Sequence, residues 1–149
     1  IRIKSLGFQS KLIPTAFVFH KRRISWLKFY KQVYKFGMVR PILNQWHPKS
    51  KNITYWFPSL FCLGLIVSVV LFFLNISWGL VTYILYFILA FLLALFSTKS
   101  VVVSVLSLGA IMVQFFGYGY GFLKSNIVML LSKKDPQLLF PELFFKLND

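Results

Sequence analysis

Residues 57–74, FPSLFCLGLIVSVVLFFL, and 78–96, WGLVTYILYFILAFLLALF, carry no charged side chain and are separated only by Asn75, Ile76 and Ser77. A spanning helix needs roughly 20 consecutive apolar residues. So short a link permits nothing but a tight helical hairpin. After the connector Ser97–Ser100, a third apolar stretch covers 101–123. None of the three leaves a polar face for water, so the solvent they require is a bilayer. The expected fold class is a mainly α membrane protein with about three transmembrane helices, at 57–74, 78–96 and 101–123.

The flanks are of a different kind. Residues 1–56 hold twelve of the seventeen Lys/Arg and no Asp or Glu, while all three acids (Asp135, Glu142, Asp149) lie in the tail, 124–149. A basic segment repels itself and calls for an anionic partner. Lipid head groups or phosphorylated ligands fit that need. Nucleic acid does not, because it leaves the apolar two-thirds unexplained, and it is not expected as a partner. The distribution of positive charge places residues 1–56 in the cytoplasm, Asn75–Ser77 outside, Lys99 inside and the tail outside. The near-neutral tail leaves an even number of crossings open. Its apolar residues, Leu138 to Phe145 between and beyond Pro136 and Pro141, are expected to lie against lipid or protein.

From Ile24 to about Gly37 the pattern is helical. Ser25, Lys28, Lys31, Gln32 and Lys35 share one side; Trp26, Tyr30, Val33 and Gly37 share the opposite one. Such a helix is expected to lie flat at the bilayer surface, with Trp26 and Tyr30 at the acyl boundary and Lys28, Lys31 and Lys35 toward head groups. The competing reading is a helix packed on a soluble domain. Pro41 is expected to end or kink it. Residues 44–56 form a polar, basic connector with aromatic anchors. Upstream, Gly7 supplies a left-handed stop, and Thr15–Phe19 reads as a short β-rich run after Pro14.

The single cysteine, Cys62, excludes a disulfide framework and a metal-ligand spacing. With no carboxylate before Asp135, the basic side supplies neither a carboxylate base nor a divalent-metal site. Taken alone, this polypeptide is not expected to be an enzyme. The cluster His20–Lys21–Arg22–Arg23, with Gln32 beyond it, suits phosphate recognition; an equally weighted reading is contact with anionic lipid. Gly117 and Gly121 fit a small-residue helix contact within the bundle. Gln114 is expected to hydrogen-bond a neighbouring helix.

Arg2, Gly7, Phe8, Pro14, Ala16, Val18, His20, Arg23, Ser25, Phe29, Gln32, Phe36 and Gly37 follow an ordered pattern, and Tyr118-Gly-Tyr-Gly-Phe122 follows later. In this order the chain resembles the C-terminal part of bacterial family 2 glycosyltransferases of the inverting GT-A type. The resemblance implies that residues 1–23 are the edge of a GT-A catalytic domain. The nucleotide-binding half, the metal-binding acidic motif and the catalytic base would then lie upstream. It implies transfer of a sugar from a nucleotide-sugar donor to a lipid-linked or envelope polysaccharide acceptor, with Mg or Mn in the complete enzyme and no cofactor in this chain. His20, Arg22, Arg23 and Gln32 would sit near the donor diphosphate, although no literal Q-x-x-R-W is present.

The first residue is Ile1 and no signal-peptide pattern follows, so the chain is expected to begin within a longer protein. The organisation expected is therefore 1–23 catalytic-domain edge, 24–56 interfacial helix and connector, 57–123 membrane helices and 124–149 tail. The location expected is the bacterial inner membrane. The alternative function is a non-catalytic small membrane subunit that binds anionic lipid and other membrane proteins.

Overall fold

The computed structural model describes residues 7–9, 11–17, 19, 25–132 and 134–144. They are mainly helical, and no strand occurs among them. Helix α1 is Trp26–Trp46, and two short 3-10 turns follow at Pro48–Ser50 and Ile53–Trp56. Three long helices come next: α2 (Phe57–Phe73), α3 (Trp78–Thr98) and α4 (Val101–Leu131). The short helices α5 (Pro136–Leu139) and α6 (Pro141–Phe144) close the chain.

Ser25 caps α1 by accepting from the Lys28 N–H at 3.2 Å, a contact that stabilises a helix start by about 1 kcal/mol. Of the two outcomes expected at Pro41, an end or a kink, the end does not occur, and the helix runs on to Trp46. Pro41 removes the bond to the Gly37 carbonyl. It is nonetheless buried, and the next residue, Ile42, joins Met38 and Phe140 in the main apolar cluster. Burial of these side chains, about 1.5–3 kcal/mol each, offsets the proline. Upstream, Gly7 does adopt a left-handed φ of 83°. The β-rich run expected at Thr15–Phe19 forms no strand among its described residues. Pro14 and Thr15 make a turn, with Ala16 N–H bonded to the Ile13 carbonyl at 3.2 Å. A lone extended run has no neighbour to complete its ladder.

Helices α3 and α4, and α2 taken with the 3-10 turn before it (Ile53–Phe73), are each long and apolar enough to cross a membrane. Their outward surfaces are as apolar as lipid requires: α3 has no buried residue, and Leu85, Leu89, Leu93 and Phe96 stand exposed along it. Hydroxyls inside the spans bond back to their own helix, as with Ser68 to the Gly64 carbonyl at 2.7 Å and Ser104 to that of Ser100 at 2.8 Å. No polar group is thereby offered bare to lipid at those sites. The spans expected to end at residues 74, 96 and 123 end at 73, 98 and 131. The last difference is large because Lys124, which looks like a boundary, is exposed on one side of a helix whose other side stays packed.

Helices α2 and α3 form the expected antiparallel hairpin. Asn75 turns it with φ 62°, Gly79 packs on Ser68, Gly64 on Tyr83, and Phe61 lies 6.3 Å from Phe87. Helix α3 therefore returns to the connector end of α2, and α4 starts there after the left-handed Lys99 (φ 53°). The second half of α4 packs on the start of α2 and on the connector. Its ring pairs Phe115–Phe61 (4.2 Å) and Phe122–Trp56 (5.0 Å) proceed backwards along α2 into the connector. The second half of α2, including Val67, Val69, Val70 and Phe73, is left exposed.

The tail then folds onto α1. Phe140, 3% exposed, packs with Met38 and Ile42, and Phe144 lies 5.7 Å from Trp46. Tail and connector thus share one end of the hairpin. Apolar burial against α1, which charge counting does not register, holds the tail there. Phe140→Ala should lower thermal stability by about 3 kcal/mol, measured as a shift in unfolding midpoint in detergent. A cost under about 1 kcal/mol would mean the tail is not docked.

Candidate functional site

The site begins with glycines. Helix α1 lies beside α4 and runs the same way: Trp26 meets Gly109, Val33 meets Gly117, Gly37 meets Tyr118 and Phe122, and Met38 meets Gly121. At two points backbone touches backbone. A Cβ on Gly37 would strike the Tyr118 carbonyl, and one on Gly121 the Tyr34 carbonyl. Gly119 points the other way, where a Cβ would come within 2.9 Å of the Pro58 carbonyl. There Ser59 Oγ donates to the Gly119 carbonyl at 3.1 Å. Small residues let helices approach this closely, and the contact is van der Waals in kind, reinforced by weak Cα–H···O bonds. Residues 117–121 therefore form the junction of α1, α2 and α4.

This packing takes up the side of α1 that the sequence assigns to lipid. Val33 and Gly37 are buried against α4; Trp26 and Tyr30 each keep one flank open. Lys28, Lys31 and Lys35 are exposed on the other side, and Gln32 is half-buried. His20, Arg22 and Arg23 lie outside the described residues. The structure thus brings Trp26 and Tyr30 to α4 and leaves the three lysines facing out. Gln114, expected to bond a neighbouring helix, is exposed.

An aromatic ladder runs alongside the glycine contacts. Tyr30 stacks on Tyr34 at 6.1 Å, Tyr34 on Tyr120 at 5.8 Å, and Lys124 Nζ donates to the Tyr34 hydroxyl at 3.1 Å. Arg40 sits 4.2 Å above the Tyr55 ring, a cation–π contact worth about 0.5–1 kcal/mol where solvent reaches it. It ties α1 to the connector.

Between the end of α1, the connector and the end of α4 lies a cleft of about 550 Å³, within the usual range for small-ligand sites. Its polar lining is Asn44, Gln45, Lys51, Asn52 and Asn126; Trp56 and Phe122 contribute apolar surface. Asn44 Oδ1 is buried with no hydrogen-bond partner. Asn52 Oδ1 accepts from Thr54 N–H at 3.0 Å, and Asn126 Nδ2 donates to the Phe122 carbonyl at 2.8 Å. A second, apolar groove of about 340 Å³ opens beside Phe57, Phe61 and Tyr83.

Sequence reasoning did not find the cleft. Asn44 and Asn52 are separated from Asn126 by two membrane helices, and only the glycine register of α1 on α4 brings them together. Among the described residues no three His, Cys, Asp or Glu converge. The divalent metal that the glycosyltransferase resemblance implies has no donor set among the described residues. No protein-family model, characterised protein or solved structure matches the chain.

Proposed function

We propose that this chain is the membrane-anchoring C-terminal region of a glycosyltransferase. It would act at the cytoplasmic face of a bacterial inner membrane, moving a sugar from a nucleotide donor to a lipid-linked or envelope polysaccharide acceptor. One observation carries the reading. The two separate segments that resemble the family, the one ending at Gly37 and Tyr118–Phe122, meet at the α1–α4 junction. A shared sequence pattern is expected to keep such a contact, because neither glycine tolerates a side chain there.

In this reading the hairpin sets the depth, and α1 joins the upstream catalytic edge to it. Holding a catalytic fold at the height of a lipid-borne hydroxyl converts a search in three dimensions into one along a surface, a proximity effect. His20, Arg22, Arg23 and Gln32 would then contact the donor diphosphate. Arg23→Ala in the complete enzyme should cut turnover of nucleotide sugar by roughly a hundredfold, with membrane insertion unchanged. The assay is transfer of labelled sugar into lipid extract, and undiminished transfer would remove Arg23 from the site.

A second reading, a non-catalytic subunit, draws on the exposed apolar length of α3 and the outward lysines of α1. Those features suit partner helices and anionic head groups. Absence of any sugar transfer by the complete gene product would favour it.

A further inference from the structure

We infer that α4 lies along the membrane surface rather than across it. With α1 it makes a two-helix layer seated on the leaflet at the connector end of the hairpin. The chain then crosses the bilayer twice, through α2 and α3 alone. This arrangement serves a transferase anchor and a non-catalytic subunit alike.

The lysines of α1 decide the placement. A crossing takes roughly 20 residues. Within Val101–Leu131 the earliest such stretch ends at residue 120 and the latest begins at residue 112. Residues 112–120 would therefore sit in hydrocarbon wherever α4 crossed. That is where α1 is docked: Val33 lies on Gly117, and Gly37 on Tyr118. Lys31 and Lys35 are within one turn of these contacts and exposed. Both ammonium groups would face acyl chains, and neither α1 nor α4 contains an acid to neutralise them. Gln114, exposed at the same level, would face lipid too. A charge can snorkel to water from near the end of a span but not from its middle, where its cost is greatest.

The contacts of α4 with the hairpin agree. Phe115, Gly119 and Phe122 meet Phe61, Pro58 and Trp56, at the start of α2 and the turn before it. Val67, Val69, Val70 and Phe73, farther along α2, are exposed. A third span packed beside the hairpin would cover that length. A helix lying across its mouth leaves it to lipid.

Laid flat, the pair presents two suitable faces. At ~100° per residue, Phe116, Leu123, Ile127 and Leu130 fall on the side of α4 turned away from Gly117 and Gly121. Phe116, Ile127 and Leu130 are exposed there. Helix α1 covers the glycine side and shows Lys28, Lys31 and Lys35 beyond it. The order outward from the acyl chains is thus apolar stripe, α4, α1, lysines. Packed helix axes lie about 8–10 Å apart. With α4 at the acyl boundary, α1 is at head-group height and its ammonium groups reach phosphate and water.

The test places single cysteines at exposed positions, on a Cys62→Ser background, in liposomes of phosphatidylcholine and phosphatidylglycerol. Phe116→Cys, Ile127→Cys and Leu130→Cys carry a fluorophore whose quenching by shallow and deep spin-labelled lipids reports depth. Ile88→Cys, in the middle of α3, is the deep standard. The three α4 labels should share one ratio, with shallow quenching dominant, while Ile88→Cys shows the reverse. A graded ratio along α4, with Phe116→Cys as deep as Ile88→Cys, would overturn the inference. Thiol reactivity gives a second reading, with an aqueous maleimide supplied on both sides so that the direction of insertion does not matter. Lys35→Cys should react at least about tenfold faster than Ile88→Cys, because a thiol in hydrocarbon neither ionises nor meets the reagent. Equally slow reaction at both positions would also overturn it.

Discussion

Gly121→Leu is expected to separate α1 from α4, with loss of the native fold around residues 26–46. At this position the obstructing atoms are the Tyr34 carbonyl and, 3.2 Å away, the Met38 nitrogen, all of them backbone. A side chain can rotate aside, but a helix backbone moves only as a body. Overpacking a core costs about 1–3 kcal/mol even where side chains yield, so the cost here exceeds that range. The readout is limited trypsin digestion: Lys28, Lys31 and Lys35 resist cleavage while α1 is docked and become susceptible once it is released.

The glycines supply their own controls. Gly37→Ala also meets backbone, at the Phe122 nitrogen (2.9 Å), and should act in the same direction, whereas Gly119→Ala meets the Pro58 carbonyl (2.9 Å) and should part α4 from α2 instead. Gly64→Ala meets only the tip of a flexible side chain, the Tyr83 hydroxyl at 2.6 Å, and Gly109→Ala only the Trp26 ring at 3.3 Å. Both should cost little. If Gly64→Ala proves as damaging as Gly121→Leu, close backbone approach is not what joins α1 to α4.

The second large effect is all-or-none. With Cys62→Ser as background, cysteines introduced at Lys51 in the connector and Gln137 in the tail should react with a membrane-impermeant thiol reagent from the same side. Ile76→Cys, in the hairpin turn, should react from the opposite side. The packing of Phe140 and Phe144 on α1 requires this result, since Trp46 and Lys51 are only a short turn apart. Labelling of Gln137→Cys together with Ile76→Cys would mean the tail leaves α1 in the bilayer.

How much the sequence discloses depends on what covers each residue. The hairpin is legible because α2 and α3 are apolar on every side, which only lipid accommodates. The face of α1 carrying Trp26, Tyr30 and Val33 is legible as apolar, but not what covers it, because indole and phenol rings suit a head-group layer and a protein groove equally well. Gly37 in the middle of that face is the distinguishing mark. A glycine there gives nothing to lipid and much to a neighbouring backbone.

Pro41 and Lys124 mislead for a related reason. Local preference ends a helix at either, whereas burial of Ile42 beside one and of Ser125 beside the other carries both helices onward. The docking of the tail on α1 is absent from the charge pattern, because it rests on the packing of Phe140 with Met38 and Ile42. The cleft was beyond reach because its amides come from segments far apart in the chain.

One consequence of the α1–α4 pairing concerns biogenesis. The ribosome releases α1 well before α4, so for some seconds at ordinary elongation rates the first helix exists without its mate. Its indole and phenol groups then need a temporary home, and the lipid surface beside the translocation machinery offers one. The signature of a surface-seeking peptide would thus belong to the nascent chain, as a waiting state before the finished protein claims that face for itself.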